Sequence, residues 1–172
     1  MHKLAATIVV ASVAIATPAL AHRGEPFSGD QGKLIGRSSV LNGPNGLYVS
    51  PTDGNVYVAS VIGDEITVHN PRNGAILDRI GPERGVHGPD DLVIAPDGTI
   101  YWTEILAGNV GMLKPNGDSL VKYVGEGTNP ITLSDDGRLF VARDFLGDGL
   151  YELDPDTLDV VRVVISDLVG FN

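Results

Sequence analysis

Three residues that carry side-chain oxygens recur ahead of short apolar runs: Asn45, Asp90 and Asn129, spaced 45 and 39 residues apart. If the fold brings them together, their oxygens suit a hard cation, because calcium takes six to eight oxygen ligands from carboxylates, amide carbonyls and water. Asn and Asp also open Asx-turns ahead of strands, so the residue types leave turn-making and metal or substrate contact both open. Asp91 adds a second carboxylate beside Asp90, and His87 lies three residues upstream on the same expected loop. Imidazole titrates near neutrality and a carboxylate polarises water, which makes Asp91 and His87 the candidate general bases. A lone loop histidine is, equally, an ordinary exposed one. Glu104 is a weaker candidate, since it closes the run Tyr101-Trp102-Thr103, whose aromatics read as core.

Other chemistries lack support. There is no G-x-S-x-G, H-E-x-x-H, P-loop or G-x-G-x-x-G, the patterns expected of serine hydrolases, zincins, NTPases and dinucleotide enzymes. Cysteine is absent, which removes disulfides and thiolate chemistry. His22, with a free amine after leader cleavage, could chelate copper, but nothing in the sequence brings His69 or His87 to it. Twelve basic residues face 22 acidic ones, a net charge of -10, so the protein's field repels phosphate backbones and anionic lipid surfaces. Nucleic acid is thereby disfavoured as a partner.

The elements that must position these residues are visible as an internal repeat. Pro44-Asn45-Gly46-Leu47-Tyr48-Val49-Ser50-Pro51 leads through Asp53-Gly54 to Asn55-Val56-Tyr57-Val58-Ala59. Pro89-Asp90-Asp91-Leu92-Val93-Ile94-Ala95-Pro96-Asp97-Gly98 leads to Thr99-Ile100-Tyr101-Trp102-Thr103, and Thr128-Asn129-Pro130-Ile131-Thr132-Leu133-Ser134-Asp135-Asp136-Gly137 to Arg138-Leu139-Phe140-Val141-Ala142. Asx-Gly pairs at 53–54, 73–74, 97–98, 116–117 and 136–137 predict two-residue type I′ hairpin turns.

Between the turns, Val, Ile, Tyr, Thr and Leu predict four strands per repeat: 47–50, 55–61, 65–70 and 75–80; 91–95, 99–104, 109–114 and 119–124; 131–133, 138–143, 149–153 and 160–165. No amphipathic helix of ten residues or more is expected after the leader. The fold class is all-β: a β-propeller of about three four-stranded blades, part of a ring that is expected to have six. Gly170-Phe171-Asn172 reads as the opening of a further blade, Asn172 falling 43 residues after Asn129. Truncation of a longer ring, or self-association through the open blade faces, would each satisfy the missing closure.

Ahead of the repeats, Met1-His2-Lys3 and the apolar run from Leu4 to Ala16, followed by Pro18 and Ala19-Leu20-Ala21, have the form of a signal peptide over residues 1–21. The apolar run is short for a membrane span, though a retained anchor is the alternative. Residues 22–37 are a polar lead-in and 38–172 the partial propeller. The leader implies a periplasmic or secreted protein with no membrane contact after cleavage.

The motifs Pro44-Asn45-Gly46-Leu47 and Gly88-Pro89-Asp90-Asp91-Leu92, continued through Pro96-Asp97-Gly98-Thr99-Ile100-Tyr101-Trp102-Thr103, resemble the gluconolactonase/regucalcin-like (senescence marker protein) superfamily of six-bladed propellers over about residues 38–172. That resemblance implies a divalent cation, most often calcium, in the central channel, polarising a lactone or ester carbonyl for attack by water. It matches Asn45 to the family's Asn-Gly-Leu ligand pattern and sets Asp90 and Asn129 at equivalent blade positions. The family's Glu-Gly-Pro ligand motif is not found, and its C-terminal Asp would lie beyond Asn172. In one blade Tyr101-Trp102-Thr103-Glu104 and Asn109-Val110-Gly111 are instead similar to streptogramin-lyase-like propellers, which implies lyase chemistry with His, Glu and magnesium. NHL-type propellers, non-catalytic binding modules, share the repeat alone.

Overall fold

The computed structural model describes residues 41–144 and 149–166. The leader, the lead-in and Asn172 lie outside them. Among the described residues, twelve strands form three separate four-stranded antiparallel sheets, each a meander in chain order. The first comprises β1 (Pro44–Val49), β2 (Val56–Ser60), β3 (Glu65–His69) and β4 (Ile76–Ile80). The second comprises β5 (Leu92–Ile94), β6 (Ile100–Glu104), β7 (Asn109–Leu113) and β8 (Ser119–Tyr123). The third comprises β9 (Thr128–Leu133), β10 (Leu139–Arg143), β11 (Leu150–Leu153) and β12 (Val160–Ile165). The expected strands are all present. β1 and β9 start earlier than predicted because Pro44 and Pro130 tolerate these first strands of a sheet, whose one flank needs no N–H donor.

The connecting turns depart from expectation. Type I′ turns need positive φ at both central residues, yet here only the glycines of the five pairs have it, Gly98 at 90° and Gly117 at 93° among them. Gly98 N–H donates to Ala95 O (2.9 Å) while Ala95 N–H pairs with Thr99 O (2.9 Å). That is a three-residue loop: a tight turn followed by one left-handed glycine, the geometry that still matches strand twist. The Asx side chain works instead as an acceptor, Asp97 Oδ1 taking Thr99 N–H (2.9 Å) and Asn116 Oδ1 taking Asp118 N–H (3.0 Å).

The core lies between sheets. Strand side chains alternate, so the middle sheet serves both neighbours. Leu92, Ile94, Ile100 and Trp102 pack with Ala59, Ile66, Val68 and Ile80 of the first sheet, whereas Val93, Tyr101, Val110 and Met112 pack with Ile131, Leu139, Val141 and Leu153 of the third. Trp102 is fully buried because its cross-strand partner is Gly111, whose absent side chain leaves room for the indole. On the third sheet Arg138 reaches Glu152 through two hydrogen bonds of 2.7 Å and lies 4.9 Å over the Phe140 ring. Arg138 and Arg162 together hold the Glu152 carboxyl down at about 2. Among the described residues no helix is long and apolar enough to cross a membrane.

Candidate functional site

The first strands of the three sheets, β1, β5 and β9, start at the same end, and there the predicted residues meet. Asn45, Gly46, Asp90, Asp91, Ile105, Asn129 and Pro130 line a cleft of about 440 Å³. Gly46 makes the approach possible: its N–H donates to Asp90 O at 2.7 Å, and a Cβ on it would lie 2.6 Å from Asp91 Cα. The Asn45 amide then donates to Asp90 Oδ1 across the boundary between first and second sheets. Asp90 N–H bonds Thr103 O (2.8 Å) and Thr103 N–H bonds Asp91 O (3.0 Å), extending the pairing of β5 with β6 up to the cleft.

Asp90 is only 3% exposed, and its second oxygen, Oδ2, is buried with no hydrogen-bond partner. Burial pushes its carboxyl above the ordinary value; the Asn45 hydrogen bond opposes this, and the charges of Asp91 and Asp144 add to it. Asp91 is also raised by burial, against two N–H donors that favour its charged form: Ile131 N–H to Oδ2 at 3.1 Å and Leu92 N–H to Oδ1 at 2.9 Å. Both Asp91 oxygens therefore already serve the main chain.

His87 is not brought to the cleft. It is exposed, with Nδ1 3.7 Å from Asp64 Oδ2, while the neighbouring Gly88 N–H binds Asp64 Oδ1 at 2.6 Å. Glu104 is buried away from reaction: Oε1 accepts Trp102 Nε1–H (3.1 Å) and Oε2 accepts the Asn109 amide (2.7 Å). Sequence reasoning missed Thr103, whose hydroxyl joins the site residues, and Asp144, whose charge acts on Asp90. Asp144 occupies the position held by Val61 and Ile105 in the other repeats, so alignment of repeats gives no sign of it.

The donor set fits a hard cation in part. An orphaned carboxylate oxygen on Asp90, with amide oxygens of Asn45 and Asn129 on the same cleft, matches calcium's preference, and water or substrate would supply the balance. Among the described residues no group of three or more His, Cys, Asp or Glu side chains is placed to hold a metal, so the site would rest on a single free carboxylate and amides.

No family model and no curated protein matches the chain. Solved structures do. Virginiamycin B lyase from Staphylococcus aureus matches 75% of this chain and 43% of its own, with a TM-score of 0.61 at 20% identity. Hydrazine synthase from Kuenenia stuttgartiensis matches 83% of this chain and 41% of its own, with a TM-score of 0.65 at 19% identity. A Bacteroides uniformis protein provisionally named a 6-phosphogluconolactonase matches 71% of this chain and 40% of its own, with a TM-score of 0.53 at 22% identity. The fold is part of a β-propeller. The three sheets are three blades, and the chain spans about two-fifths of the length of the structures it matches. At these identities the likeness is one of fold, and the fold hosts several enzymes.

Proposed function

We propose that this protein is a lactone or ester hydrolase of the propeller type that holds a divalent cation, calcium, at the channel end of its blades. The observation that carries the reading is Asp90 Oδ2: a buried carboxylate oxygen without a partner, on a residue that lines one cleft with Asn45 and Asn129. Leaving such a group unsatisfied costs about 1–3 kcal/mol, more for a charge, so a bound cation offsets a real penalty. When bound, the cation would polarise the substrate carbonyl and acidify a water. The chain's own contribution is to hold and orient: Asp90 supplies charge, the Asn45 amide fixes the Asp90 rotamer, and Asn129 offers a second amide oxygen. His87 is turned to Asp64 and plays no part in this reading. The leader expected over residues 1–21 would place the protein in the periplasm or outside the cell. The motif similar to streptogramin lyases is consumed by packing, since Glu104 anchors Trp102 and Asn109, so it lends lyase chemistry no support.

Calorimetric titration of the protein with calcium chloride, with thermal unfolding in parallel, tests the site, and a panel of neutral lactones and aryl esters tests the activity. Saturable binding that raises the melting temperature and disappears in Asp90→Ala is expected. A folded protein that gives no binding heat would end the cation reading.

A further inference from the structure

Resting on that reading, we infer that the Thr103 hydroxyl is a positioning group: it sets the distance between Asp90 in the second blade and Asn129 in the third. Thr103 is fully buried at the fourth position of β6. Its hydroxyl donates to Asn129 O at 2.7 Å, across the blade boundary, and accepts Asp91 N–H at 3.2 Å, within its own blade. One oxygen with one proton thus ties together the main chain of two residues on which the cleft depends. A second tie, Ile131 N–H to Asp91 Oδ2, lies just beyond. The two ties grip the third blade on either side of Pro130, which has no N–H of its own, so Asn129 is anchored from both directions.

The boundary between first and second blades needs no such group, because there Asn45 and Gly46 reach Asp90 directly. The repeat shows that the hydroxyl is not a requirement of the blade. The same strand position holds Ala59 in β2 and Ala142 in β10, both buried, in sheets that pair normally. A hydroxyl that only the middle blade carries, placed between the two boundary residues, serves the joint and not the sheet.

The test compares Thr103→Val, which keeps shape and removes the hydroxyl, with Thr103→Ser, which keeps the hydroxyl, using calcium chloride calorimetry and thermal unfolding of the metal-free proteins. Loss of a hydrogen-bonded tie predicts calcium affinity about tenfold weaker in Thr103→Val, with Thr103→Ser within about twofold of the parent. A melting temperature lowered in Thr103→Val with calcium affinity unchanged would overturn the inference and leave the cation site standing. Weakened affinity in a folded Thr103→Ser would also overturn it, since packing and not the hydroxyl would then be responsible. Absence of calcium binding in the parent protein would remove the cation reading and this inference with it.

Discussion

Burial of the Asp90 carboxylate trades its water for a single side-chain hydrogen bond, from Asn45. Its carboxyl is raised above 3.8 in the fold, so the native protein binds that proton more tightly than the unfolded chain does. Stability contributed by the proton is complete below pH 3.8 and is lost as the pH climbs through the raised value; at neutral pH the charge is a net cost in the absence of metal. Asp90→Asn retains an acceptor for Asn45 and removes the charge. The metal-free variant is expected to be more stable at pH 7 by on the order of 1 kcal/mol, with a flatter loss of stability from pH 4 to 7, and to have lost its response to calcium. Denaturant unfolding across that pH range reads both effects, and a variant less stable than its parent at pH 7 would contradict the account.

At the scale of elements, the second blade shows what makes the joints stiff. Gly111 and Trp102 face each other across β6 and β7, and a Cβ at Gly111 would overlap the indole. Gly111→Ala is expected to destabilise the fold by about 3 kcal/mol. Trp102 is the one tryptophan in the sequence, so its emission should shift to the red as the ring is displaced; unchanged emission and stability would argue against the packing described. The third blade shows a different balance. Leu158 takes the left-handed turn position, φ 57°, that glycine fills in other hairpins, and it is 1% exposed within the core. The left-handed backbone costs about 1–2 kcal/mol, whereas a buried leucine contributes about 2–5 kcal/mol over a truncated side chain. Packing wins, and the turn is marked in the sequence by Asp154-Pro155-Asp156 and not by an Asx-Gly pair.

For the molecule as a whole, the blades at the two ends of the set have outward faces without a neighbour among the described residues. Leu47 and Val49, 66% and 59% exposed, stand where Leu92 and Ile94 of the second blade are buried against the first. All six residues of β12 are exposed, five of them Val or Ile. Exposed aliphatic faces of blade pattern are expected to make the protein associate. Sedimentation velocity from about 1 to 100 μM should show concentration-dependent species that Leu47→Glu with Val49→Lys diminishes; one monomeric boundary over the whole range would reject the expectation. The net charge of -10 tempers association at low ionic strength, so added salt should strengthen it.

The architecture was legible in the sequence because its signals are local: alternating apolar residues, Asx-Gly pairs and a repeat of about 40 residues depend on neighbours in the chain, and they located all twelve strands. The turn type differs because an Asx-Gly pair closes three- and four-residue loops as readily as two-residue ones. The meeting of Asn45, Asp90 and Asn129 in one cleft followed from the repeat as well. What each residue does there did not. The contacts that decide it join residues 26, 40 and 45 apart: Thr103 to Asn129, Ile131 to Asp91, Asn45 to Asp90. Those contacts take the Asp91 oxygen that Leu92 N–H leaves open, leave one of Asp90 free and give Thr103 a role its strand position does not announce. The sequence by itself therefore determined the blades and the order of their strands, whereas the tertiary structure decided which side chains remain available for chemistry, because hydrogen-bond partners are assigned only when the blades pack.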